Sequence, residues 1–101
     1  MLTIILPILN EGKYIFRCLD SVLAQDYPLQ EMEILLIDGM SEDDTRLIIH
    51  EYQEKYSAIK LIDNPSRTVP YALNIGIKAA TGDVIIRMDA HADYPSNYLS
   101  S

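Results

Sequence analysis

Asp89 and His91 carry the strongest chemical signal in the chain. They sit one residue apart in Asp83-Val-Ile-Ile-Arg-Met-Asp89-Ala-His91-Ala-Asp93. An apolar run bounded by turn residues reads as a buried strand, which puts Asp89 at its carboxyl end. In an open α/β sheet, ligands bind beyond that edge. A carboxylate and an imidazole at alternate positions can both face one divalent cation. Hard oxygen ligands suit Mg²⁺ or Mn²⁺, and the added imidazole tilts the choice toward Mn²⁺. A cation held there could bind a diphosphate. Asp38 ends the run Glu33-Ile-Leu-Leu-Ile-Asp38, and Asp63 ends Ile59-Lys-Leu-Ile-Asp63, in the same way. Strand ends and turns favour Asp on their own account. Three acids on one edge of a parallel sheet point to a site more than any one of them does.

Four apolar runs alternate with helical patterns and must position these acids. Strands are predicted over residues 2–6, 33–38, 59–63 and 84–88. Ile15, Leu19, Val22 and Leu23 fall at helical spacing within 12–25, behind a cap at Asn10. The segment Ser41-Glu-Asp-Asp44 resembles a capping box that opens a helix to about residue 56, with Ile48, Tyr52 and Tyr56 on one face. Pro70 suits a first helical turn, so 68–80 is predicted as the third helix. Its Ala72, Gly76, Ala79 and Ala80 let it lie close to a sheet, and Thr81-Gly82 ends it. The order βαβαβαβ calls for a doubly wound, mostly parallel α/β sheet with right-handed crossovers and helices on both faces.

Composition narrows the ligand class. The chain has 101 residues, 49% of them hydrophobic, which is enough for one domain or part of one. Fifteen acids against eight bases leave a net charge of −7. That balance argues against nucleic acid, because nothing would neutralise the phosphates. Lys and Arg are scattered, so no basic stripe supports a membrane surface role. Cys18 is the only cysteine, and its neighbours Tyr14, Ile15 and Val22 place it in a core. The amino terminus lacks a basic n-region, and no apolar run reaches spanning length. His50 reads as a surface or helix-packing residue. The first strand–helix turn, Leu6-Pro7-Ile8-Leu9-Asn10-Glu11-Gly12, has no glycine triplet, and no phosphate-binding GKS or GKT occurs. A nucleotide on this sheet therefore needs a metal for its phosphates.

Residues 6–15 resemble the opening of family 2 glycosyltransferases, the inverting GT-A type. So does Leu36-Ile37-Asp38-Gly39-Met40-Ser41-Glu42-Asp43-Asp44-Thr45, followed by residues 74–83 and Arg87-Met88-Asp89-Ala90-His91. Each motif is weak alone, but their order and spacing span nearly the whole chain. Asp89-Ala90-His91 followed by Ala92-Asp93-Tyr94-Pro95 is most similar to bacterial glucosyltransferases of succinoglycan and exopolysaccharide biosynthesis. The resemblance implies transfer of a sugar from a nucleoside diphosphate donor, with UDP favoured, to a glycan or lipid-linked acceptor. It assigns Pro7 and Glu11 to the nucleotide pocket, Asp38 to the base, Asp89 to the ribose and metal, and Arg67 to the base or phosphates. His91 takes the place of the second acid of the DxD motif as a ligand to Mn²⁺ or Mg²⁺. Imidazole there gives up one negative charge.

The same resemblance puts the general base beyond residue 101, so 1–101 is expected to be the donor-binding part and the acceptor half to be missing. Such a fragment is expected to turn over little by itself and to self-associate through an exposed edge. A parent enzyme at the cytoplasmic face of a membrane is implied. A receiver-like, Mg²⁺-binding signalling module is the alternative. It would need an acidic pair after the first strand and a late Lys, and neither is present.

Overall fold

In the computed structural model, which describes residues 1–90, the strands β1 (Leu2–Ile8), β2 (Met32–Asp38), β3 (Ile59–Asp63) and β4 (Val84–Arg87) form one parallel sheet. Their order is β3-β2-β1-β4. Helices α1 (Ile15–Leu23), α2 (Thr45–Lys55) and α3 (Val69–Ala79) fill the crossovers. This is the predicted βαβαβαβ arrangement. His91 and Asp93 lie outside the described residues.

Side-chain alternation along the strands explains the layering. Ile4, Leu6 and Ile8 of β1, with Ile34 and Leu36 of β2, pack with Ile15, Cys18, Leu19 and Val22 of α1 and Ile49 of α2. Ile5, Leu35 and Ile37 point the other way and meet Ala72 of α3. Both faces of β1 and β2 are covered, which is why these strands read as unbroken apolar runs. Gly76 brings α3 down onto the sheet. A Cβ on it would stand 2.9 Å from both Cδ1 and Cγ2 of Ile5. The core position predicted for Cys18 holds, and of the two readings given for His50, surface or helix packing, the structure shows the exposed one.

Three local expectations fail, each for a physical reason. Asn10 does not cap α1, which starts at Ile15 without a side-chain cap. Its backbone is left-handed (φ 51°), and its amide oxygen accepts the Glu42 and Asp43 N–H groups at 2.8 and 3.4 Å. The capping box at 41–44 does not form either. Ser41 turns back onto Asp38, and Asp43 takes the Thr45 N–H at 3.0 Å. Finally, β4 is not buried: Val84 and Ile85 are 57% and 43% exposed. It pairs only with β1, and α3 packs on β1 and β2, so β4 is an edge strand among the described residues.

The opposite, amino edge of the sheet holds a buried polar knot. Glu33 accepts from the Thr3 hydroxyl at 2.7 Å, the Thr81 N–H at 2.6 Å, the Thr81 hydroxyl at 2.9 Å and Lys60 Nζ at 3.2 Å. Burial alone would raise its pKa. The Thr81, Thr3 and Lys60 donors outweigh that and bring it down to about 2. The knot pins the α3–β4 turn and so sets where β4 enters the sheet.

Candidate functional site

The carboxyl edge of the sheet carries a cleft of about 130 Å³ between two loops. Pro7, Leu9 and Glu11 of the β1–α1 segment form one wall, and Asn64, Arg67 and Thr68 of the β3–α3 loop form the other. Two larger hollows, about 240 and 300 Å³, lie around Lys55 and Tyr56 at the far end of α2. The smaller cleft is therefore the better candidate, because it lies where an open α/β sheet binds ligands.

Its walls are held by ties between loops. The Asn10 N–H donates to Ser41 Oγ at 2.8 Å, the Glu11 N–H to Thr45 Oγ1 at 2.9 Å, and the Gly12 N–H to Asp43 at 3.0 Å. Asp43, which also accepts the Thr45 hydroxyl and N–H, has its pKa lowered by these donors. The Asn64 amide donates to the Thr68 carbonyl at 2.9 Å and accepts from Ser66 Oγ at 2.8 Å, which shapes the opposite loop. A Cβ on Gly39 would stand 3.3 Å from the Arg67 Cα, so a side chain there would press the β3–α3 loop outward by a few tenths of an ångström. All three left-handed non-glycine residues among those described, Asn10, Met40 and Arg67, sit in these edge loops. Such backbone strain concentrates at functional sites.

The predicted site residues separate into groups. Pro7, Glu11 and Arg67 line one cleft. Arg67 also donates to the Met40 carbonyl at 3.3 Å and lies 3.6 Å from Glu42. Asp38 does not line the cleft but is the register partner of Ile8, which does. It has no exposed surface, and it accepts the Ser41 hydroxyl, the Ser41 N–H at 3.1 Å and Arg46 at 2.7 Å. A carboxylate has about four acceptor directions, so one remains after these three donors. Asp63, its register partner on β3, is joined to it through Arg46 at 2.8 Å.

Asp89 lies past the end of β4, on the other side of β1. Its side chain is 69% exposed, 3.6 Å from Arg87. Among the described residues no cluster of three potential ligands holds a metal. Asp89 is the described member of the expected pair and suits a hard cation, being an exposed carboxylate oxygen at the ligand edge. His91, the other member of that pair, lies outside the described residues.

Sequence reasoning passed over Arg46 and Asn64. Arg46 is in the first turn of α2, eight positions after Asp38. That is close enough to reach back to the strand end once the helix starts at Thr45. Its guanidinium pKa is raised by its hydrogen bonds to Asp38 and Asp63.

Comparison with known proteins gives this geometry a family. The chain is 47% identical over 102 residues to dolichyl N-acetyl-alpha-D-glucosaminyl phosphate 3-beta-D-2,3-diacetamido-2,3-dideoxy-beta-D-glucuronosyltransferase of Methanococcus voltae, covering 99% of this chain and 32% of that protein. It is 32% identical over 97 residues to the succinoglycan biosynthesis protein ExoA of Rhizobium meliloti, covering 94% of this chain and 29% of that protein. The chain thus spans about a third of the length of these curated relatives. Its fold superposes on residues 1–349 of TarS from S. aureus in complex with UDP with a TM-score of 0.90, at 28% identity, over 98% of this chain and 30% of that one. The mannosyltransferase PcManGT from Pyrobaculum calidifontis, in complex with GDP-Man and Mn²⁺, superposes with a TM-score of 0.86 at 31% identity, over 93% of this chain and 28% of that one. The sequence model for glycosyl transferase family 2 matches residues 3–101, and the chain belongs to that family.

Proposed function

We propose that this chain forms the donor-binding part of an inverting glycosyltransferase. The donor is a UDP-sugar, and the acceptor is a growing glycan or a lipid-linked sugar of the cell envelope. The observation that carries the proposal is the cleft at the carboxyl edge, lined by Pro7, Glu11 and Arg67, with Asp38 buried next to it as the register partner of the lining residue Ile8. The superposition on a protein solved with UDP supports the choice of nucleotide. The two curated relatives support the acceptor class.

Each residue has a defined task in this reading. Pro7 and Leu9 give the base an apolar wall, and Arg67 supplies a planar cation that can stack on the ring or reach a phosphate. Asp38 accepts the imide N–H of uracil. Because it presents no surface, the base must part the cleft wall to use the remaining acceptor direction. Asp89, with His91, would hold Mn²⁺ or Mg²⁺, and the PcManGT complex with Mn²⁺ supports that assignment. When bound, the cation stabilises negative charge on the departing diphosphate. The residue that deprotonates the acceptor hydroxyl lies beyond residue 101, as does the acceptor site. The proposal includes a cytoplasmic location at the membrane face, and the β4 edge, unpaired among the described residues, supports self-association of the chain. The family match and the absence of an acidic pair after β1 leave the receiver-like alternative without support.

Titration calorimetry with UDP, GDP and ADP, with and without Mn²⁺, tests the reading. Metal-dependent UDP binding, weakened about tenfold or more in Asp38→Ala and Asp89→Ala, is expected. Equal, metal-independent binding of all three nucleotides would remove its basis.

A further inference from the structure

We infer that Arg46 is a positioning residue for nucleobase selection, fixing the Asp38 carboxylate through a relay that ties the ends of β1, β2 and β3 together. The inference rests on the donor-site reading above.

The relay can be followed atom by atom. The Asn10 N–H, just past β1, donates to Ser41 Oγ at 2.8 Å. The Ser41 hydroxyl donates to Asp38 Oδ1 at the end of β2. Arg46 then reaches Asp38 Oδ2 through Nη1 at 2.7 Å and Asp63 Oδ1, at the end of β3, through Nη2 at 2.8 Å. The two carboxylates are register partners on adjacent parallel strands, and one planar guanidinium spans both. A fork of this kind fixes direction as well as charge, which an ammonium group cannot do.

Asp38 is fully buried, whereas the side chains of Arg46 and Asp63 are 32% and 53% exposed. The relay therefore runs from a buried acceptor to the surface, and its outer half can be altered without opening the core. With Arg46 and Ser41 holding both oxygens, Asp38 offers its remaining acceptor direction in one orientation. A ring N–H donor, as in uracil, is rewarded there. Cytosine, with an acceptor at the same ring position, is not. A site built to hydrogen-bond one partner rejects the analogue that lacks the group far more strongly than a loose site does. Without Arg46, the carboxylate loses one of its three donors and its opposite charge, and that selectivity falls.

The test measures UDP and CDP affinity, both with Mn²⁺, for the wild-type chain, Arg46→Met, Arg46→Lys and Asp38→Ala, with circular dichroism to confirm folding. The expected result is a preference for UDP that falls about tenfold in Arg46→Met while CDP affinity is unchanged. Arg46→Lys retains part of the preference, and Asp38→Ala abolishes it. An unchanged preference in folded Arg46→Met overturns the inference and leaves the donor site standing. Equal loss of UDP and CDP affinity also overturns it, because Arg46 would then be only structural. A wild-type chain that does not distinguish UDP from CDP overturns the donor reading itself, and the inference with it.

Discussion

Glu33 is a carboxylate in a place where an isolated charge could not stay. It has almost no exposed surface, and its oxygens are occupied by Thr3, Thr81 and Lys60. Its pKa of about 2 lies below the usual 4.5, so folding favours the ionised form. That stabilisation is complete above about pH 4.5 and is lost as the pH falls through 4.5 toward 2. It is worth on the order of 3 kcal/mol. Urea unfolding at pH 7, 4 and 2.5 measures it. The wild-type chain should lose this stability between the first and last conditions. Glu33→Gln should be less stable at pH 7 by about 2 kcal/mol and should lack this component of the acid dependence. Asp38, on the opposite edge, is buried with a similar set of donors, but its neighbours form the wall of a cleft. Two buried acids of one sheet thus differ in use: one locks a turn, and the other is proposed to read the base.

At the scale of elements, the turn from α3 to β4 depends on Gly82. A Cβ there would stand 2.6 Å from the Met1 carbonyl oxygen and 2.9 Å from the Thr3 nitrogen, both backbone atoms of the β1 segment. The Met1 carbonyl also accepts the Asp83 N–H at 2.9 Å, so it cannot retreat without breaking that bond. Gly82→Ala should therefore cost about 2 kcal/mol or more and lower the thermal midpoint by several degrees, measured by circular dichroism. The strands and helices themselves were legible in the sequence. Apolar runs such as 33–38 and the helical spacing of Ile15, Leu19 and Val22 report burial directly, and burial is set by the same alternation that the structure displays. What did not read correctly were the side chains with a choice of partners. Asn10, Ser41 and Asp43 are ordinary capping residues by type, but here they bond across to another loop, and only tertiary approach decides between the two uses. β4 misread for a related reason: the run 84–88 records apolarity, not which neighbours cover it.

For the whole molecule, the sheet order β3-β2-β1-β4 divides the strand-end acids. Asp38 and Asp63 stand together on one side of β1, and Asp89 stands on the other, with Pro7 and Ile8 between them. In the proposed reading, this order sets a base pocket and then a phosphate and metal position along one edge. The separation was not legible in the sequence, which shows three acids on one edge but not their order across it. Pro7, Glu11 and Arg67 were placed by resemblance and do share a cleft. Arg46 was missed because a helix N-terminal Arg carries no signal until the strand end beside it is known. The central claim is that the nucleotide binds at this edge. Backbone NMR of the isotopically labelled chain, titrated with UDP and Mg²⁺ to avoid paramagnetic broadening, tests it residue by residue. The account predicts the largest amide shifts at Leu9 to Gly12, Gly39 to Ser41 and Asn64 to Thr68, with little change at Glu51 to Tyr56. Shifts confined to the hollow around Lys55 and Tyr56, with the carboxyl edge silent, would contradict it.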